Sequence, residues 1–102
     1  MYDLPSVGRL LTADDFEPWI GKDFVAQATP EPVAIQLLRV NRKLASVFSR
    51  RAPFNLVFGS MADVLLIGGT YSLTCGGFGP HELFLTPIVS PPGERLYEAV
   101  FN

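Results

Sequence analysis

The chain has 102 residues, 48% of them hydrophobic and only 18% charged, which places it with globular single domains and excludes a disordered, highly charged chain. A formal net charge of −2 gives no overall attraction to nucleic acid or to an anionic membrane. The single cysteine rules out an intrachain disulfide and a multi-cysteine zinc site, and nine glycines with nine prolines fit an all-β chain better than a helical bundle.

Residues 1–10 read as a flexible arm, broken by Pro5 and Gly8 and without periodicity to pack, ahead of a single β domain over 11–102. The arm is either a frayed end or a segment that pairs with a neighbouring subunit. Thr12-Ala13-Asp14-Asp15 has the form of a helix start, with an N-cap residue and acids in the first turn. Phe16, Trp19 and Ile20 follow at helical spacing, and Pro18 and Gly21 keep the helix short. The expectation is a lid whose aromatics plug the open end of a β structure. The alternative is that Trp19 is an exposed anchor for a partner.

Asp23–Ala28 is the first predicted strand, and Thr29-Pro30-Glu31-Pro32 the turn after it. In Val33–Val40, Val33, Ile35 and Leu37 alternate, and then Leu38 and Val40 take over the apolar phase. A slip of one register is what a β-bulge produces, and it bends a strand so that a sheet can curl. Asn41–Ala52 is less patterned: Leu44, Val47 and Phe48 allow a helical turn, and an exposed basic loop is equally compatible. Phe54, Leu56 and Phe58 alternate on the next strand, which Gly59 is expected to end. An apolar connection over 60–69 leads to a meander of Tyr71–Cys75, Glu82–Ile88 and Arg95–Phe101, with tips at 76–81 and 90–94. The last strand should lie beside Leu83–Ile88, burying the face with Tyr97 and Phe101. Together these predict an all-β fold: a small, curled antiparallel sheet, barrel or sandwich, of roughly five to seven strands with one short N-terminal helix.

Charge is unevenly distributed. No acidic residue falls between Pro32 and Ala62, where Arg39, Arg42, Lys43, Arg50 and Arg51 all lie, whereas Asp14, Asp15, Glu17 and Asp23 crowd the N-terminal part. Such segregation can make one surface complementary to another, so these five bases, with Trp19, are the candidate partner contacts. Only Phe48 is available among them for stacking on bases, which argues against a nucleic-acid groove.

The chemistry-bearing residues favour bland roles. Cys75 and His81 flank one hairpin tip, but a nucleophile–base pair also needs a stabilised thiolate and an orienting third group, and Glu82 is badly placed to orient its neighbour. Gly68-Gly69 and Gly76-Gly77-Phe78-Gly79 lack the spacing and the following helix of a phosphate loop, so they read as turns. The acids near Asp14 do not form a loop of the kind that holds calcium. No catalytic residue, metal site or cofactor is expected.

No basic segment followed by an apolar one opens the chain, and no apolar run approaches the ~18 residues of a membrane span. The expected location is therefore the cytoplasm as synthesised, or a phage-like particle thereafter. Gly69-Thr70-Tyr71-Ser72-Leu73, then Gly79, Leu83–Ile88 and the terminal Tyr97-Glu98-Ala99-Val100-Phe101-Asn102 resemble a bacterial family of unknown function whose members have about this length. Phe16–Phe24 with Gly21, and Phe54–Phe58, extend the resemblance over 11–102. The resemblance implies an association with phage-tail-collar-type proteins and transfers no functional residue. The expected function is a non-enzymatic structural or assembly module working through protein partners or self-association. The alternative is a small-ligand-binding barrel with Trp19, Tyr71 and Phe78 at its mouth.

Overall fold

In a computed structural model, which describes residues 11–44, 52–64 and 66–102, the strands close on themselves. They are β1 (Asp23–Ala26), β2 (Val33–Arg42), β3 (Phe54–Met61), β4 (Gly69–Cys75), β5 (Phe78–Ile88) and β6 (Glu94–Phe101). All pairings are antiparallel, in the order β1-β2-β3-β6-β5-β4, and Val25↔Thr74 with Ala26↔Leu73 closes β4 back onto β1. The predicted all-β architecture is thus a six-stranded barrel. The expected N-terminal arm, the helical spacing through Val47 and Phe48, and Arg50 and Arg51 lie outside the described residues.

Period-2 alternation explains the core. Phe54, Leu56 and Phe58 on β3 are fully buried, as are Leu83 and Leu85 on β5, the set expected from sequence. An eight-stranded barrel is only just wide enough for side chains, so this narrower one is filled by them. The anticipated bulge is present: the β2–β3 register slips between Leu37 and Arg39, so Leu37 and Val40 both turn inward. Leu38 consequently lies on the outside, over Gly59. A Cβ on Gly59 would sit 2.8 Å from Leu38 Cδ1, so the glycine makes room for the bulge. It does not end the strand, as expected from sequence; β3 continues to Met61.

Both barrel ends are stoppered. At one, α1 (Ala13–Phe16) and a 3-10 turn, Glu17–Trp19, form the predicted lid. Asp15 accepts the Thr12 backbone N–H at 2.7 Å, half of a capping box that starts the helix. Phe16 is 1% exposed and meets the rings of Phe54, Phe78 and Phe101 at centroid distances of 6.0, 5.2 and 5.7 Å. At the other end the 62–68 connection inserts Leu66, whose N–H donates to the Tyr97 hydroxyl at 3.3 Å.

The meander differs from expectation at one tip. β5 begins at Phe78, so Gly76-Gly77 alone makes the turn. Gly79 has φ +98°, and a Cβ there would lie 2.7 Å from Leu73 O, a conformation only glycine accepts readily. With the register shift between Leu73 and Cys75, it lets the strand absorb what sequence reads as a loop. β6 pairs with β5 through Thr86↔Glu98, Pro87↔Tyr97 and Ile88↔Leu96, as predicted, and buries Tyr97 and Ala99. It also pairs along its whole length with β3, from Met61↔Glu94 to Phe54↔Phe101.

Candidate functional site

The lid brings several of the candidate residues together. Trp19, half-buried, stacks on Phe78 with centroids 5.4 Å apart and planes 17° from parallel. Its ring also covers the hairpin tip, since a Cβ on Gly76 would come within 3.6 Å of it. Arg42, at the end of β2, reaches back to Asp14 at 2.6 Å and Glu17 at 3.2 Å. The hydrogen bond that the guanidinium donates to Asp14 leads in raising its pKa; burial comes next and lowers it, and the charges of Asp14 and Glu17 add to the rise. At least part of the charge segregation in the sequence is therefore satisfied within the chain. These side chains are well exposed, so the cluster contributes little stability. Arg39 and Lys43 are exposed; Arg50 and Arg51 lie outside the described residues.

Cys75 and His81 are close in sequence but are not opposite each other. Cys75 pairs with Phe78, and His81 with Leu73. Cys75 points into the core at 6% exposure, and burial pushes its thiol pKa up; the charge of Lys22 works against this and that of Asp23 with it. A thiol held neutral is a poor nucleophile. His81 is half-buried, with its ring 4.6 Å from that of Phe78, so it belongs to the aromatic packing around the lid. Cys75 is accordingly expected to ignore a disulfide-exchange reagent at neutral pH in the folded chain and to react fully in urea. Rapid reaction of the native protein would show a thiol far more open than this geometry allows.

Asp14 and Glu17 turn to Arg42, and Asp15 turns back to Thr12, so the N-terminal acids have partners of their own. Among the described residues, no group of three or more His, Cys, Asp or Glu side chains is arranged to hold a metal ion. Also among the described residues, no helix is long and apolar enough to cross a membrane.

Two features outside the lid were not singled out from sequence. The first is on the outer face of the barrel, where Phe84 is 61% exposed and Val100 51%. The signal for it was available: with Leu83 and Leu85 inward, a strand must turn Phe84 out. On the same side of β3, Asn55 is buried and donates its Nδ2 to Glu98 Oε2, while its Oδ1 has no hydrogen-bond partner. The second is a groove of about 660 Å³ between the turn after β1 and the 62–68 connection, lined by residues that include Val33, Leu66, Tyr71, Glu31 and Asp63. Tyr71 is fixed there by its hydroxyl, which donates to Ile67 O at 2.7 Å. Tyr71 thus does not share a mouth with Trp19 and Phe78, which stack at the lid.

Comparison with curated proteins and with solved structures gives no match. Residues 11–101 match the family described as Domain of unknown function (DUF6916), and the chain belongs to that family.

Proposed function

We propose that this domain is a non-enzymatic structural or assembly module that acts through protein–protein contacts, as an accessory of phage-tail-type particles. One observation carries the reading: the barrel is filled inside and stoppered at both ends, while Phe84 at 61% exposure and Val100 at 51% lie on its outer face. An exposed phenylalanine on a rigid sheet is an anchor of the kind that dominates interface energetics. The particle association rests on the resemblance in the terminal block alone. A small ligand at the barrel mouth has less support, because Trp19 and Phe78 stack on each other and Phe16 occupies the space behind them.

Sedimentation velocity tests the reading, on the chain alone and mixed with the proteins encoded by neighbouring genes, at several salt concentrations. Association is expected, and Phe84→Arg should weaken it by about tenfold or more while leaving the melting temperature unchanged. A chain that stays monomeric and binds none of those proteins at any salt concentration would sink the proposal.

A further inference from the structure

The groove beside the 62–68 connection combines three kinds of group. Its lining includes apolar groups, among them Val33, Leu66 and the ring of Tyr71. That ring is already immobilised by the bond to Ile67 O and lies 3.9 Å from where a Cβ on Gly69 would be. It also carries two carboxylates, Glu31 in the turn after β1 and Asp63 in the connection after β3. Both are exposed, and among the described residues neither is in an ion pair and no lysine, arginine or histidine lines the groove.

That combination selects its occupant. A purely apolar side chain would take water from the carboxylates and return no partner for them. An anion would be repelled. A long cationic side chain satisfies every part: its methylene stem covers apolar surface while its head stays with the acids. The tyrosine ring adds attraction for a cation lying over its face. The volume, about 660 Å³, lies within the span of roughly 300–1,000 Å³ usual for specific sites. We infer that this groove receives an arginine or lysine side chain of a partner protein, its stem against Val33, Leu66 and Tyr71 and its charge against Glu31 and Asp63. The inference rests on the assembly reading and names the kind of residue a partner inserts.

The test uses the full chain and two peptides, acetyl-Leu-Arg-Leu-amide and the same peptide with citrulline, which has nearly the shape of arginine without its charge. Backbone amide resonances are followed during titration. The arginine peptide is expected to shift the amides of Ala28, Val33, Ile67 and Tyr71, and the citrulline peptide to bind about fivefold more weakly. The double variant Glu31→Gln, Asp63→Asn should lose the same factor with an unchanged melt, and added salt should erode the difference. Equal binding of the two peptides, or no shift at the groove, overturns the inference. So does a double variant that binds the arginine peptide as the parent does. A double variant that still assembles like the parent also overturns it while leaving the assembly reading standing, which the Phe84→Arg experiment tests separately.

Discussion

A chain lacking Tyr97–Asn102 is expected to lose its cooperative melt altogether. β6 lies between β3 and β5 in the closed order, so removing its second half opens the barrel wall along β3, where Phe54 to Phe58 pair with Phe101 to Tyr97. The deleted residues also hold both ends shut. Tyr97 is 1% exposed, and its hydroxyl accepts from Leu66 N at 3.3 Å and lies 3.3 Å from Ser60 Oγ. Phe101 stacks on Phe54 with centroids 4.5 Å apart and packs on Phe16 under the lid. Losing one buried aromatic costs about 3–5 kcal/mol, and a small domain has only about 5–15 to lose. Two aromatics, Ala99 and much of a strand ladder exceed that margin. Circular dichroism during heating and during urea titration is the check. A truncated chain with an intact cooperative transition would make β6 an accessory arm, and strand exchange between subunits would become the better account of it.

What could be read in advance was local. The alternation of Phe54, Leu56 and Phe58, the phase slip at Leu37–Arg39, the short lid and the pairing of β6 with β5 each follow from a few neighbouring residues obeying one period or one turn rule. The β3–β6 pairing has no such signal, because barrel closure decides it from strands far apart in the chain. The same limit applies to the groove: Glu31 and Asp63 come from different connections, and only the fold makes them face one space. Proximity in sequence left a contact between Cys75 and His81 open, and the fold decides it: the strand absorbs Gly79 and sets them against different partners. Charge segregation was visible but its purpose was not. Arg42 turns to Asp14 and Glu17 of its own chain, which no count of charges along the sequence distinguishes from pairing across an interface.

Phe58→Ala is expected to cost about 3–5 kcal/mol, the usual range for a fully buried phenylalanine. The ring is 0% exposed, in the middle of the barrel, and its cross-strand neighbours are Leu37 on one side and Tyr97 on the other. It meets Phe24 edge to face at 5.4 Å with planes 80° apart, an arrangement that contributes about 0.5–1.5 kcal/mol beyond burial. Closed strands on every side cannot collapse into the space left behind, so the cavity term should be paid nearly in full. With a urea dependence near 2 kcal/mol per molar, the midpoint should fall by about 2 M. Phe84→Ala is the matched control: the same residue type on a neighbouring part of the barrel, but 61% exposed and facing out. Its effect on the melt should stay within about 0.5 kcal/mol. An unchanged midpoint in Phe58→Ala, or equal losses in the two variants, would contradict the inside–outside assignment from which both the filled barrel and the exposed contact face are argued.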